Sequence, residues 1–434
     1  MLFALAQIQS SIAKSAMFAL VDADSFYCSS EQVFRPDWRG RPVIVLSNND
    51  GCIVAANKQA KAVGIQKFSP YFQVKNLCQR HGVIVCSSNY ELYADLSTKM
   101  MNIIGRFAPE QYIYSVDETF LSLKNCTQVI GDYHGYGQTI RQAVWREARL
   151  PVCVGFGPTL TLAKIANRAA KKLPEYRGVC AIENEQIRKD ILRQIAVDDV
   201  WGIGRRIGAK LQIMNIKTAF DLSNMPAGLA RKTFSIEVER TVRELNGQAC
   251  KVWDQVRADK RQIFSTRSVG ERITDFDELQ QALSKHVGIA AAKARKQGSV
   301  CGTVLLFAGN SPHDQHPLCL KSIAHLPYPT NSTIELTQAV TKASISLFRE
   351  GVRYYKIGIG LLDLTSEKHC QYDLFNQPTT APELMNVLDE LNAKYGRDTL
   401  FLAAQGIDQK WAMRREFLTP QYSTRWQCLP RIKC

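Results

Sequence analysis

The chain has 434 residues, 45% of them hydrophobic and 22% charged, and its 55 Lys and Arg outnumber 40 Asp and Glu to give a net charge of +15. This length exceeds one ordinary core, so roughly two to four domains are expected, and the charge favours nucleic acid as a polyanionic partner. No apolar run of spanning length and no basic amphipathic helix is present, which argues against a membrane partner.

The 13 cysteines are odd in number and never spaced Cys-x-x-Cys. We therefore expect a cytoplasmic protein with reduced thiols, without a disulfide framework or a zinc site.

The first sixteen residues contain one charged side chain, Lys14, and lack the basic start of a signal peptide. Met17 stands directly before the first convincing strand. Residues 1–16 are therefore predicted to be an extension that adds nothing to the fold, and both Met1 and Met17 are candidate starts of translation.

Apolar periodicity predicts alternating strands and helices over the first 172 residues. The predicted strands are 18–21, 42–46, 52–55, 83–86, 112–116, 119–123 and 152–156. The predicted helices are 26–33, 57–64, 68–80, 90–107, 133–149 and 160–172. When 28–82 is left out, the order is strand, helix, strand, strand, helix, strand, which is typical of a ferredoxin-like sheet.

Two adjacent carboxylates, Asp117 and Glu118, lie between two of these predicted strands. Two neighbouring anions repel each other, and a divalent cation bound by both would offset that repulsion. Hard oxygen ligands suit Mg²⁺. In a ferredoxin-like topology Asp22, at the end of the first strand, would reach the same edge of the sheet. The alternative at this stage is a polar hairpin turn without a ligand.

From residue 197 the composition changes to a Gly-Ile-Gly turn followed by a basic helix start. Gly202 and Gly204 would let the backbone approach a phosphate, and the first N–H groups of the helix would bind it. The same segment carries three cations, Arg205, Arg206 and Lys210. This pattern indicates a helix-hairpin-helix that holds the DNA backbone without reading bases; the alternative is an ordinary helix–helix turn.

The remainder of the chain is predicted to form a linker, a small α+β domain and a tail. Strands are predicted at 302–307 and 356–362, and helices at 276–297 and 331–350. One predicted helix carries a cluster of cations, Lys285, Lys293, Arg295 and Lys296, which is either a solvated face or a second DNA contact. The tail has one helical pattern, at 381–394.

Taken together, these residues resemble the Y family of translesion DNA polymerases, and within it the branch of the catalytic subunit of bacterial DNA polymerase V. The segments that carry the resemblance are 18–27, 45–51, 87–95, 114–118, 162–167 and 198–206. The likeness extends from Met17 into the tail. Runs of this length in one order are far more specific than a single motif.

The resemblance implies an α+β multidomain fold, a right-hand polymerase with a ferredoxin-like palm, small fingers, a helix-hairpin-helix thumb, an α+β little finger and a C-terminal tail. The implied boundaries are: extension 1–16, palm 17–28 and 83–178, fingers 29–82, thumb 179–250, linker 251–261, little finger 262–364 and tail 365–434.

The resemblance also implies the active-site roles. Asp22, Asp117 and Glu118, with the backbone carbonyl of Ala23, would hold two Mg²⁺ ions. Tyr27 falls on the steric-gate position, where a ring under the sugar leaves no room for a 2′-hydroxyl. Two basic positions that grip the incoming triphosphate are matched by Lys61 and Lys171. Two residues depart from the family pattern and receive no role, Lys58 and Asp24.

A short peptide in the tail resembles the motif by which such polymerases bind the sliding clamp. Its matching residues are Gln371, Leu374 and Phe375, and Tyr372 departs from the usual aliphatic residue. The resemblance further implies a processed UmuD-type dimer and the RecA filament as partners, although no residue pattern independently indicates them.

The implied function is error-prone, DNA-templated DNA synthesis across damaged bases in the SOS response, with primer-template DNA and dNTPs as substrates. Two alternatives are a nucleotidyl cyclase on a similar sheet and a non-catalytic DNA-binding module. The thumb turn, the basic little finger and the clamp-like peptide argue against a cyclase. The complete set of three acids argues against a module without catalysis.

Overall fold

The structure is a computed structural model that describes residues 17–126, 129–253, 259–369, 382–396 and 398–430. The described residues divide into two compact units. The first unit contains 17–47, 52–253 and 417–430, and the second contains 48–51, 259–369, 382–396 and 398–416.

The first unit is built on two sheets. Its strands are β1 (Phe18–Ala23), β2 (Val43–Leu46), β3 (Ile53–Ala56), β4 (Ile84–Ser87), β5 (Glu110–Ile113), β6 (Glu118–Ser122), β7 (Val152–Gly157) and β8 (Val179–Ala181). The larger sheet has the order β5-β6-β1-β7-β8, and the smaller one has the order β3-β2-β4. In the larger sheet β1 lies between β6 and β7 and runs antiparallel to both, whereas β8 pairs with β7 in parallel. The four strands predicted for a ferredoxin-like sheet are thus neighbours in the order that this topology requires.

The helices of the first unit follow the predicted pattern up to residue 172, and four of the later ones carry no prediction. They are α1 (Phe26–Val33), α2 (Lys58–Ala62), α3 (Tyr71–Arg80), α4 (Tyr90–Gly105), α5 (Tyr133–Ala148), α6 (Leu160–Lys172), α7 (Glu185–Gln194), α8 (Arg205–Ile213), α9 (Ala219–Ser223), α10 (Ala227–Thr233) and α11 (Ile236–Leu245). Side-chain caps explain several starts, because Asn89 accepts from the N–H of Leu92 and Thr159 from that of Leu162.

Helix α6 approaches the central sheet unusually closely. A Cβ atom on Gly155 would lie 2.0 Å from the backbone nitrogen of Asn167, and one on Gly157 would lie 2.6 Å from that of Ala163. Asn167 then donates from Nδ2 to the carbonyls of Leu20 and Cys153, at 3.2 and 2.8 Å. The two glycines therefore let α6 lie directly on the strands, and Asn167 fixes it there.

The hairpin that carries the acids differs from its prediction. The predicted strands 112–116 and 119–123 are wrong at their boundaries, because β5 ends at Ile113 and β6 begins at Glu118. The N–H groups of Tyr114 and Ser115 donate to the carbonyl of Glu118, which closes a turn before Val116. Glu118 is therefore a strand residue, and only Asp117 lies in the turn.

The second unit is a four-stranded sheet covered by helices. Its strands are β9 (Ile263–Ile273), β10 (Ser299–Gly309), β11 (Cys319–Thr330) and β12 (Tyr354–Ser366), in the order β11-β10-β12-β9. Its helices are α12 (Phe276–Gln297), α13 (Thr333–Ser344) and α14 (Pro382–Tyr395). Apolar residues of α12, such as Leu283 and Val287, pack with β10 and β12 in one core.

The sequence predicted the two central strands of this sheet and missed the two edge strands. Positions of β11 alternate between exposed and half-buried up to Pro327, and β9 is largely polar on one face. Edge strands of this kind carry a weak apolar signal. The helix predicted at 331–350 ends early, at Ser344, and a short 3₁₀ turn follows it. Within the ranges that the structure describes, no helix is both long and apolar enough to cross a bilayer.

Candidate active site at the edge of the central sheet

The structure brings the three predicted acids to one edge of the larger sheet. Asp22 and Glu118 are direct partners across the antiparallel β1–β6 ladder. The N–H of Ala23 donates to the carbonyl of Asp117 at 2.9 Å, so the ladder extends into the turn. Residues directly opposite each other on such a ladder have Cβ atoms about 4.5–5.5 Å apart. Sheet register therefore sets the separation of residues that are nearly a hundred positions apart in sequence.

Ser115 fixes the turn that carries Asp117. Its hydroxyl donates to Oδ1 of Asp117 at 2.5 Å and accepts from the N–H groups of Asp117 and Glu118, at 3.3 and 3.2 Å. One side chain thus orients the carboxylate and satisfies two backbone donors that the turn would otherwise leave unpaired.

Two lysines of α6 neutralise the strand carboxylates. Lys171 Nζ lies 2.5 Å from Oδ1 of Asp22, and Lys164 Nζ lies 2.7 Å from Oε1 of Glu118. Seven residues separate the two lysines, which places them on one face of the helix. Lys171 had been predicted to grip the triphosphate, whereas Lys164 received no role from the sequence. Its spacing from Lys171 was the available signal.

Burial and neighbouring charges perturb these ionisable groups. Burial raises the pKa of Asp22 to about 6, against the lowering effect of Lys171, and the charges of Glu118 and Asp117 raise it further. Burial lowers the pKa of Lys171, but the carboxylate of Asp22 outweighs burial, so the net direction is upward. The acids therefore act on one another, as expected for anions crowded at one edge.

The Lys164 ammonium group also lies among aromatic rings. It is 4.3 Å from the ring centroid of Tyr114 and 5.0 Å from that of Trp201. Such distances allow a cation–π attraction that fixes the long side chain. Trp201 directly precedes the Gly-Ile-Gly turn, so this turn is attached to the carboxylate edge through the aromatic cluster.

The residues at this edge fit a divalent metal by donor chemistry. Three carboxylates and the carbonyl of Ala23 are hard oxygen donors of the kind that Mg²⁺ prefers. A cation would also offset the burial of the Asp22 charge and its repulsion by Glu118 and Asp117, which together raise the pKa of Asp22. In the described part of the chain no three His, Cys, Asp or Glu side chains form a ready-made metal cluster. Instead, the ammonium groups of Lys171 and Lys164 form ion pairs with Asp22 and Glu118.

Tyr27, the predicted sugar gate, lies on α1 and is half-buried. Its ring stacks on that of Tyr93 with centroids 4.5 Å apart and planes 16° apart, and Tyr90 meets it edge-on at 6.3 Å. Burial, then Tyr90 and the charge of Asp117, raise the pKa of Tyr27. The sequence did not assign Tyr93, which lies on α4, a role.

The remaining basic residues of the site lie on the surface of α2. Lys58 and Lys61 are both exposed. Burial lowers the pKa of Lys61, and the positive charges of Lys67, Arg168 and Lys171 lower it further. Positive charge of this kind would favour a polyphosphate.

Asp24, which received no role from the sequence, lies beside the acids. Its Oδ1 is 3.7 Å from Lys171 Nζ and 3.4 Å from the sulfur of Cys153.

In the predicted helix-hairpin-helix segment, two glycines precede the start of α8. Gly202 has φ of +90°, a conformation that other residues rarely adopt, and Gly204 caps the start of α8. Arg205, Arg206 and Lys210 are exposed on α8. A Cβ on Gly208 would meet Asp198 at 2.1 Å, which explains a further glycine in this helix.

The cation cluster predicted on α12 is partly neutralised within the second unit. Lys285 pairs with Asp398 at 2.9 Å, and Arg295 pairs with Asp389 at 2.7 Å. The ion pairs join α12 to α14 and to Asp398, which follows α14. Lys285 and Arg295 are therefore less available to DNA than the sequence suggested. The clamp-like residues Gln371, Leu374 and Phe375 lie outside the described residues.

Comparison with known proteins establishes the family. A model described as the impB/mucB/samB family matches residues 21–168, and the C-terminal domain of that family matches residues 260–374. Protein UmuC of Salmonella typhimurium is 44% identical over 426 residues, which span 96% of this chain and 100% of UmuC. The chain belongs to the impB/mucB/samB family. The predicted resemblance is thereby confirmed.

More distant relatives show how widely this architecture occurs. DNA polymerase IV of Moorella thermoacetica is 25% identical over 402 residues, which span 90% of this chain and 96% of that polymerase. A solved Y-family DNA polymerase chimera of Dbh and Dpo4 superposes with a TM-score of 0.63 at 19% identity, covering 81% of this chain and 99% of the chimera. This likeness confirms the predicted polymerase fold class. A further family model, which describes a domain of unknown function (DUF4113), matches residues 382–432 of this chain.

Proposed function

We propose that this chain, an error-prone translesion DNA polymerase, adds deoxynucleotides to a primer at the edge where Asp22, Asp117 and Glu118 meet. The observation that carries the proposal is the β1–β6 ladder, which pairs Asp22 with Glu118 beside the Asp117 turn. The family and the polymerase fold support it. A nucleotidyl cyclase on a similar sheet would have no use for the basic turn at Gly202.

The acids would hold two Mg²⁺ ions, with the carbonyl of Ala23 as a further ligand. When bound, such ions would supply Lewis-acid chemistry, favouring the ionised primer 3′-hydroxyl and neutralising negative charge on the pyrophosphate leaving group. Little covalent work is left to the protein, which positions the reactants and neutralises charge. Ser115 orients Asp117, and Lys164 orients Glu118 through its 2.7 Å ion pair.

The substrate side of the site would be formed by α1, α2 and α6. Lys61 and Lys171 provide positive charge for the triphosphate of a dNTP. Tyr27, stacked on Tyr93, would lie under the sugar and exclude a 2′-hydroxyl, so the enzyme would select deoxynucleotides. This role needs a ring at one fixed position, which the 4.5 Å stack provides.

Primer-template DNA would be held mainly through its phosphates. Gly202 and Gly204 allow close approach of the backbone, and Arg205, Arg206 and Lys210 add charge. Binding of this kind is independent of base sequence, which suits an enzyme that moves along any template.

Several further roles belong to this proposal on the strength of the family resemblance. They are docking on the sliding clamp through Gln371, Leu374 and Phe375, contact with a processed UmuD-type dimer and a RecA filament, a cytoplasmic location, and the division into palm, fingers, thumb and little finger at the boundaries given above.

Primer extension by the Asp117→Ala variant tests the proposal. We expect extension to fall by roughly a thousandfold or more while binding of primer-template DNA is retained. Asp95→Asn, an exposed acid on α4, is the matched control and should extend primers normally. Normal extension by Asp117→Ala would rule out the assignment of the three acids.

A further inference from the structure

A short piece of the C-terminal region, residues 417–422, packs into the first unit beside the sugar gate. Phe417 and Ser87 bind reciprocally: the Ser87 N–H donates to the Phe417 carbonyl at 2.9 Å, and the Phe417 N–H donates to the Ser87 hydroxyl at 2.9 Å. The Phe417 ring meets Tyr71 edge-on at 5.8 Å. This contact attaches the segment to the end of β4, immediately before the turn that leads into α4.

Asn89 connects the same segment to the start of α4. Its Nδ2 donates to the carbonyl and the hydroxyl of Thr419, at 3.1 and 3.0 Å, and to the carbonyl of Pro420 at 3.3 Å. Its Oδ1 accepts from the N–H of Leu92 and so caps the helix. Because Asn89 is fully buried, loss of these acceptors would leave an amide unpaired in the interior.

Glu31 connects α1 to α4. This carboxyl group is fully buried, and the Tyr93 hydroxyl donates to its Oε1 at 2.6 Å. Burial raises the pKa of Glu31 to about 7, against the lowering effect of the Tyr93 and Thr419 hydroxyls. Tyr422 attaches the segment to α1, because its ring stacks at 4.9 Å on that of Phe34, the C-cap residue of this helix.

These contacts converge on the two helices that form the gate. Tyr27 projects from α1 and Tyr93 from α4, and their rings stack. The segment contacts the start of α4 at Asn89 and the end of α1 at Phe34. A change in the separation of the two helices would change how firmly the Tyr27 ring is held under a sugar.

We propose that residues 417–422 are a positioning element of the sugar gate: by holding α1 and α4 together they keep Tyr27 stacked on Tyr93 and so contribute to the exclusion of ribonucleotides. The inference rests on the proposed role of Tyr27. It assigns to the C-terminal region an effect on substrate selection, in addition to any partner contacts.

The expected effect is specific to the sugar. If α1 and α4 separate slightly, the Tyr27 ring gains freedom and a ribonucleotide is accommodated more easily. Asp22 and Glu118 should be unaffected, because the β1–β6 ladder fixes them, and Ser115 holds the turn that carries Asp117. The variant should therefore have a higher KM for dNTPs and a lower ratio of dNTP to rNTP kcat/KM, with kcat for dNTPs nearly unchanged.

The test uses the full chain with the double substitution Thr419→Val and Tyr422→Ala. The first removes the hydroxyl that accepts from Asn89, and the second removes the ring that stacks on Phe34. We expect the dNTP/rNTP ratio of kcat/KM to fall by roughly tenfold. Trp426→Ala, in the same region but 84% exposed, is the matched control and should leave the ratio unchanged. An unchanged ratio in a folded double variant overturns the inference, as does an equal fall in the control.

Tyr422→Ala alone is the second variant, for the case that the double variant does not fold. It removes only the ring that stacks on Phe34, so a lower ratio supports the inference and an unchanged ratio overturns it. Tyr27→Ala, measured in parallel, separates this inference from the proposed function. No change in Tyr27→Ala would defeat the gate itself, whereas a change there without one in the segment variants would defeat only the role of 417–422.

Discussion

The carboxylate edge and the sugar gate begin on the same stretch of chain, yet they are held by different kinds of interaction. Asp22 is placed by the β1–β6 ladder, and its charge is balanced by Lys171. Tyr27, five residues later, is placed by side chains: its ring lies on Tyr93, and the Tyr93 hydroxyl lies on the buried Glu31.

This difference separates rate from selectivity. A ladder of backbone hydrogen bonds tolerates remote substitutions because each bond is supported by its neighbours, whereas a series of side-chain contacts can be loosened at any member. We therefore expect substitutions behind the gate to change sugar selection while sparing the acids, and substitutions among the α6 lysines to change the rate while sparing selection.

The buried Glu31 should make the free energy of unfolding depend on pH. Burial raises the pKa of Glu31 to about 7 from its ordinary 4.5. Because the folded state binds this proton more tightly, the stabilisation is complete below the unfolded pKa and is lost as the pH rises through the folded pKa. The loss should approach about 3 kcal/mol.

Chemical denaturation at a series of pH values measures this effect. Glu31→Gln keeps an acceptor for Tyr93 but cannot ionise, so its stability should lack this component, while the exposed Glu147→Gln should retain it. An identical pH dependence in Glu31→Gln and the unaltered chain would contradict the burial argument.

Removal of the gate ring should have the next largest effect. Tyr27→Ala opens the space under the sugar, and we expect the relative use of ribonucleotides to rise on the order of a hundredfold. Steady-state incorporation of matched dNTP and rNTP pairs measures it. Tyr27→Phe keeps the ring and should keep the selection; sugar preference that is equal in all three proteins would show that the gate lies elsewhere.

A substitution of Lys164 tests the expectation that the carboxylate edge controls the rate and not the choice of sugar. Lys164→Ala removes the ion pair to Glu118, and loss of such an orienting partner should lower metal affinity or activity by roughly tenfold. Titration of primer extension with Mg²⁺ measures both. Lys172→Ala, on the same helix but paired with Asp199 at 2.5 Å, is the control. A changed dNTP/rNTP ratio in Lys164→Ala would break the proposed separation of rate from selectivity.

The smallest expected effect concerns DNA affinity and lies outside both regions. The double variant Arg205→Ala and Arg206→Ala should lower the slope of log affinity against log salt by about 0.9 for each lost phosphate contact. Fluorescence anisotropy with duplex DNA measures it. The control replaces Lys189 and Arg193, whose charges already pair with Glu185 and Asp190, and an equal loss of slope there would argue against a specific phosphate site.

Much of the central sheet could be predicted because its strands and helices have strong apolar periodicity. Helices α1 and α6 match the predicted boundaries, and the order of elements was sufficient to bring Asp22 towards the hairpin. The hairpin strands were misplaced because apolar residues continue past Ile113, while the hydrogen bonds that close the turn at Ser115 leave no signature in apolar periodicity. Strands β9 and β11 were missed because edge positions need few apolar residues.

The sequence by itself determined the family, the alternation that gives the ferredoxin-like sheet, and the identity of the three acids, because these depend on local patterns and on motifs in a fixed order. Only the tertiary structure decided that Lys164 pairs with Glu118, that Tyr27 stacks on Tyr93, and that residues 417–422 contact Asn89 and Phe34. The physical reason is that these contacts join side chains far apart in the chain: about fifty residues separate Glu118 from Lys164, and more than three hundred separate Asn89 from Thr419. No local pattern records such a pairing, since each residue is compatible with many surroundings until the strands and helices have packed.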